Sequence, residues 1–121
     1  MFELMVEDTF DAAHCLRGYE GACDRLHGHT YRVQCVVRLT ELDSRGIGVD
    51  FRDMKTALAE ALTVLDHQFL NDLPLFQVEN PSAENLAKYL FERMRDLLGS
   101  PVAKVTVWET ANSAATYFEE D

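Results

Sequence analysis

An α+β domain, with two helices on one face of a four-stranded antiparallel sheet, is the fold class that the sequence predicts. Three observations carry it. Apolar residues alternate at period two near both ends of the chain. Through the middle they repeat at the three-and-four spacing of a helical face. Strand-like and helix-like segments also fall in blocks, in the order strand, strand, helix, helix, strand, strand. A sheet of four strands leaves edges that must be covered, and closing them against other copies of the chain is a natural solution.

The first strand is read over Phe2–Phe10, with Phe2, Leu4, Val6 and Phe10 on one side. Residues 15–26 hold Gly18, Gly21 and several charges, the composition of a loop. A second strand, Thr30–Leu39, puts Tyr31, Val33, Cys35, Val37 and Leu39 on one face and Arg32, Gln34 and Arg38 on the other. Cys35 is then a small core residue. After a turn at Ser44–Gly48, Asp50 caps a helix whose apolar positions are Phe51, Met54, Leu58, Ala61, Leu62 and Leu65. A loop follows Asn71 and Pro74, and Ser82 is the N-cap of a second helix. Leu86, Leu90, Met94 and Leu97 form its stripe, and Gly99 and Pro101 stop it. Strands at Val102–Glu109 and near Thr116–Phe118 complete the set. With no repeat, low-complexity tract or linker, residues 1–121 read as a single domain.

With 47% hydrophobic and 26% charged residues, the 121-residue chain has the balance of a folded globular protein. No apolar run approaches the roughly 18–20 residues of a membrane span. The start, Met1–Glu7, lacks the basic and apolar blocks of a signal peptide, so a cytoplasmic location is expected. A net charge of −10 argues against general binding to nucleic acid or to an anionic membrane. A phosphorylated ligand would need a local cluster of basic groups; Arg17, Arg25, Arg52 and Lys55 are the candidates.

Histidines carry the chemical signal. His27-Gly28-His29 opens the second strand, and alternation turns both imidazoles to one face. His14 follows the first strand, so a hairpin of the two strands brings it near the same end of the sheet. Three neutral histidines are a common catalytic zinc set that leaves the fourth position to water or substrate. Cys23, four residues before His27, reads as a fourth ligand, a catalytic thiol or a packed loop residue. A dication and Arg25 nearby would lower its pKa. Asp66-His67 reads as a proton-transfer pair or as a helix-end histidine, because adjacent side chains seldom hydrogen-bond to each other. Glu109 at a strand end anchors a donor-rich ligand edge or is simply solvated. No glutamate stands at the spacing of a His-Glu-X-X-His hydrolase helix.

Taken in order, Phe10-Asp11-Ala12-Ala13-His14, Cys23-X-X-X-His27-Gly28-His29 and Asp50-Phe51 with Met54-Lys55 resemble the 6-pyruvoyltetrahydropterin synthase superfamily. So do Leu65-Asp66-His67, Pro81-Ser82-Ala83-Glu84-Asn85-Leu86 and Glu109-Thr110. The compact length and the Cys-X3-His-Gly-His form look most like its bacterial 6-carboxy-5,6,7,8-tetrahydropterin synthase branch, which serves queuosine synthesis. The resemblance implies a T-fold, whose subunits close edge to edge into trimeric barrels stacked as homohexamers, with sites at subunit interfaces. It implies one Zn2+ per subunit on His14, His27 and His29, Cys23 as the proton-transfer thiol, and Asp66 with His67 as a relay. Glu109, with Thr110, Ser82, Ala83 and Glu84, would hold the pterin, this end of the site being expected from a neighbouring subunit. The implied reaction converts 7,8-dihydroneopterin triphosphate to 6-carboxy-5,6,7,8-tetrahydropterin, acetaldehyde and triphosphate.

Overall fold

The computed structural model describes residues 1–18 and 24–120. Strands β1 (Phe2–His14) and β2 (His27–Leu39) pair antiparallel in unbroken register, from Phe2 opposite Leu39 to His14 opposite His27. Helix α1 (Phe51–Leu62) and a two-residue strand β3 (Gln68–Phe69) follow. Helix α2 (Ala83–Leu98), then β4 (Val102–Thr110) and β5 (Ser113–Phe118), complete the chain. The sheet order is β3-β1-β2-β4-β5.

Among the described residues, five strands, not four, are therefore present. The addition, β3, runs parallel to β1 and pairs only with Ala12 and Ala13. Two residues have no period to read, so no alternation announces it. The rest of the outer edge of β1, and the whole outer edge of β5, carry no strand neighbour among the described residues. Among the described residues, no helix is long and apolar enough to cross a membrane.

Both helices start where their caps dictate. The Asp50 carboxylate accepts Arg52 N–H at 2.8 Å, and the Ser82 hydroxyl accepts Asn85 N–H at 3.2 Å. Gly99, at φ 87°, takes the left-handed backbone that ends α2. Met54, Leu58, Leu86, Leu90 and Met94 pack, fully buried, against Tyr31, Val33, Val105 and Val107 of the sheet. Phe51 departs from its expected place. It is 51% exposed and lines an apolar groove with Phe2 and Ile47, because it begins α1 beyond the part of the helix that lies on the sheet. Phe2, expected on the inward side of β1, is also exposed there. Helix α1 ends at Leu62, and Leu65 reaches the core from the turn that follows.

Candidate metal centre and active site

His14 and His27 are the last register pair of β1 and β2, and His29 stands opposite Ala12 one turn of the pleat further in. All three imidazoles point to the helix-covered side of the sheet. His14 is completely buried. Its Nδ1 lies 2.7 Å from the Pro81 carbonyl oxygen, and Nδ1 of His27 lies 2.7 Å from that of Arg25. A carbonyl only accepts, so each Nδ1 carries the proton and each Nε2 presents a lone pair. Those two Nε2 atoms face each other at 2.9 Å. Two lone pairs at that distance repel unless they share a cation.

His29 Nε2 is buried and has no hydrogen-bond partner among the described residues. Glu109 Oε1 is 3.1 Å from it. That contact is charge proximity without hydrogen-bond geometry, and it leaves the lone pair unspent. The three nitrogens and a Glu109 oxygen all lie within 4.8 Å of one another. A tetrahedral ion with ligand bonds of about 2.0–2.1 Å separates its ligand atoms by about 3.3 Å. An orphaned buried nitrogen, two facing lone pairs and a cluster of donor atoms within 4.8 Å fit a metal ion, with His14, His27 and His29 to hold it.

Burial pushes the His29 pKa below its ordinary value; Glu109 opposes this, while His14 and His27 add to it. The histidine is thereby kept neutral, the form that binds metal. Tyr31, stacked on Phe10, sits beneath the centre with its hydroxyl 3.2 Å from His14 Nδ1. Burial, and secondarily Glu109, raise its pKa, so it remains a neutral phenol.

Glu109 reaches the histidines through a β-bulge. The register of β4 with β5 shifts between Trp108 and Thr110, leaving Glu109 as the extra residue. Bulges re-aim a side chain in this way. Glu109 thus stands beside His29 of its own chain, where a neighbouring subunit was expected to supply the pterin end. Thr110 is exposed, its hydroxyl 3.1 Å from Asn112 Oδ1 in the hairpin. Ser82 spends its hydroxyl on the cap, Ala83 is buried in the core, and Glu84 is exposed in the first turn of α2.

Asp66 and His67 do hydrogen-bond side to side, with Nδ1 2.9 Å from Oδ2. His67 is the one non-glycine at positive φ (59°) among the described residues, and that bend swings its ring back onto its neighbour. Asp11 fixes the bend, its carbonyl accepting His67 N–H at 2.6 Å and its N–H donating to Asp66 Oδ1 at 3.0 Å. Asp66 is held below the usual carboxylate range by the Asp11 N–H and then by His67, while the Asp66 hydrogen bond raises His67. An open cleft of about 570 Å³ beside His67 is lined by Asp11, Gly28, Thr30 and Phe69 on the outward face of the sheet, and of the three histidines only His29 borders it. Gly28 leaves its wall bare.

Cys23 lies outside the described residues. Asp24 on its far side is a structural residue, accepting Leu16 N–H at 2.7 Å and donating its own N–H to the Leu16 carbonyl at 2.9 Å. Burial pushes the Cys35 thiol up to about 12, as befits a core residue. Arg17 is spent on the Glu79 and Asn71 carbonyls. Arg52 pairs with Asp50 and lines the groove at Phe2, about 40 Å along β1 from His14 at roughly 3.3 Å per residue. Within one chain it does not reach the site. Sequence reasoning missed Asn71 and Asn80, whose amides grip the backbone of Cys15 and Arg17. Only the proline after Asn80, which restricts its backbone, hinted at either.

A largely antiparallel sheet backed by two helices, with histidines converging at the end of its central hairpin, defines a small α+β protein with a side-chain cluster that could hold a metal ion. The chain belongs to the 6-pyruvoyl tetrahydropterin synthase family, whose model matches residues 3–120. The 6-carboxy-5,6,7,8-tetrahydropterin synthase of Synechocystis is 35% identical, over 98% of this chain and 94% of that protein. The enzyme of the same name in Haemophilus influenzae is 30% identical, over 98% of this chain and 100% of that protein. The solved 6-pyruvoyl tetrahydropterin synthase of Caenorhabditis elegans superimposes with a TM-score of 0.86 at 28% identity, covering 98% and 96% of the two chains. The T-fold of that family is the architecture found here.

Proposed function

We propose that this chain is a zinc-dependent carbon–carbon lyase that converts 7,8-dihydroneopterin triphosphate and water to 6-carboxy-5,6,7,8-tetrahydropterin, releasing acetaldehyde and triphosphate, in the synthesis of queuosine and related 7-deazapurines. The observation that carries the reading is the facing pair of Nε2 lone pairs on His14 and His27, with the orphaned His29 Nε2 beside them. The choice of product is supported by the names of the Synechocystis and Haemophilus relatives.

In this reading His14, His27 and His29 hold one zinc per chain. Zinc supplies Lewis acidity toward the hydroxyls of the substrate side chain. Cys23 is the proton-transfer thiol, and His67 is its partner acid or base. With Nδ1–H given to Asp66, His67 keeps Nε2 free to exchange a proton. The Glu109 carboxylate accepts the paired N–H donors of a pterin edge, a charge-assisted contact that orients the ring. Thr110 and the segment Ser82, Ala83 and Glu84 complete the pterin end, the latter through backbone groups.

The assembly in this reading is a homohexamer of two trimers in the cytoplasm. The two edges without strand neighbours support it, as do Phe2 and Phe118, 46% and 56% exposed beside them. A neighbouring copy then supplies the basic side chains for the triphosphate.

A second reading keeps the site and makes the 6-pyruvoyl product, and the likeness to the Caenorhabditis structure favours it. Incubating zinc-loaded protein with 7,8-dihydroneopterin triphosphate, with mass spectrometry of the pterin and an acetaldehyde assay, decides between them. Equimolar acetaldehyde and 6-carboxy product are expected. The pyruvoyl pterin without acetaldehyde would replace the first reading with the second. No turnover by zinc-loaded protein would leave a non-catalytic metal- or pterin-binding protein.

A further inference from the structure

We infer that Asn80, supported by Asn71 and Asn85, is a positioning residue for His14 and thereby sets the metal affinity of the histidine centre. The inference rests on the metal-centre reading above and adds residues that lie outside the ligand set.

The register of β1 with β2 ends at His14, and the chain runs on through Cys15 to Arg17. Leu16 is held by Asp24 on one edge of this segment, and side-chain amides hold Cys15 and Arg17 on the other. Asn71 Oδ1 accepts Cys15 N–H at 2.9 Å, and its Nδ2 donates to the Cys15 carbonyl at 2.8 Å. Asn80 does the same for Arg17, at 2.8 Å and 3.0 Å. A primary amide presents an acceptor and a donor side by side, as a neighbouring strand does. Asn71 is only 7% exposed, so its contacts to Cys15 are made away from solvent.

The Asn80 clamp closes on the histidine itself. Pro81 follows Asn80, and the Pro81 carbonyl is the acceptor for His14 Nδ1–H at 2.7 Å. The chain from His14 to Arg17, the Asn80 side chain and the Asn80-Pro81 peptide therefore form a ring that ends on the imidazole. The proline confines Asn80 to extended backbone. Asn85 Nδ2 then ties the Asn80 carbonyl to the first turn of α2 at 2.9 Å. Nδ1 is the atom that fixes both the tautomer and the aim of the ligating Nε2. Loosening the clamp releases that aim, whereas a merely structural asparagine would change stability and leave metal affinity alone.

The test uses full-length protein stripped with a chelator. Zinc affinity is read by competition with a chromophoric chelator, ligand geometry by the visible bands of the cobalt(II) form, and stability by melting of the metal-free protein. Asn80→Ala is expected to bind zinc about 10- to 100-fold more weakly and to alter the cobalt band intensities. Asn80→Asp keeps an acceptor for Arg17 N–H and is expected to recover part of the loss. A folded Asn80→Ala that binds zinc within about twofold of wild type overturns the inference, set against that expected loss. Should Asn80→Ala not fold, Asn85→Ala decides: it removes only the contact to the Asn80 carbonyl, and unchanged zinc affinity there is the refuting result. Wild-type protein that takes up no zinc overturns the metal-centre reading and this inference with it. Zinc uptake by wild type with an unaltered Asn80→Ala affinity overturns this inference alone.

Discussion

Zinc is expected to raise the melting temperature of the metal-free chain by many degrees, and His27→Ala is expected to erase the rise. In the native chain, the Nε2 atoms of His14 and His27 face at 2.9 Å, and His29 Nε2 is buried without a hydrogen bond. An ion at their centre satisfies all of them together, and the unfolded chain offers no such site. Binding is then linked to folding. Free zinc at about 1,000 times its Kd adds about 4.1 kcal/mol to the native state. At about 2.1 cal/mol/K per residue, the unfolding entropy of a 121-residue chain is about 0.25 kcal/mol/K. The rise is therefore about 16 °C. Scanning calorimetry of chelator-stripped protein at pH 7.5, with and without zinc, measures it. Protein concentration is held fixed because the midpoint of an oligomer depends on it. The sign with pH follows from His29, whose folded pKa lies below its unfolded value. Its contribution is complete above the unfolded value of about 6.5 and is lost as pH falls through the depressed folded one. The zinc-induced rise should shrink over the same window as protons compete for the nitrogens. A rise below about 3 °C, or an equal rise in His27→Ala, would refute the histidine centre when set against the expected linkage.

Two further tests address the neighbouring groups. His67 is expected to titrate above its ordinary value, because its hydrogen bond to Asp66 favours the charged ring. The His67 contribution to stability is thus present below its unfolded pKa and lost as pH rises through the folded one, while the Asp66 contribution is lost as pH falls through its own depressed value. An NMR titration reads the shift, Asp66→Asn should bring His67 down, and a wild-type value at or below about 6.5 contradicts the pairing. Glu109→Gln is expected to raise KM for the dihydropterin triphosphate about 10- to 100-fold, from loss of a charge-assisted contact of about 1.5–3 kcal/mol, and to leave zinc stoichiometry unchanged. Lost zinc in that variant would move Glu109 from the pterin to the metal.

What the sequence disclosed is what regular periodicity governs. Alternation put His27 and His29 on one face, the hairpin set His14 against His27, and the capping residues Asp50 and Ser82 located both helix starts. Apolar spacing also named the buried face of each helix. It misplaced Phe51 because spacing marks a direction around the helix and does not say how far the sheet extends beneath it. The Asp66–His67 contact was hidden because it depends on a left-handed backbone at a histidine, which residue type does not announce. Glu109 beside His29 depends on a bulge that shifts the register by one residue. The asparagine clamps join residues 56 and 63 positions apart, beyond the reach of any local pattern.

These misses share a physical origin. Within a strand, every backbone group is committed to the ladder and every side chain is committed to a face by the pleat. A site needs donors, acceptors and side chains aimed at one point, and the ladder supplies these only where it stops. Here it stops in several ways at one end of the sheet: the His14–His27 pair is the last of β1 and β2, the bulge frees Glu109, and β3 contributes only Gln68 and Phe69. The bend at His67 lies just before β3 and is anchored on the Asp11 backbone. Past His14, amide side chains carry on the ladder's pairing and bring the Pro81 carbonyl to the imidazole. The centre is therefore fixed by the stiffness of the sheet on one side and by hydrogen-bonded irregular chain on the other. Substitutions on that irregular side should disturb metal binding before they disturb the fold.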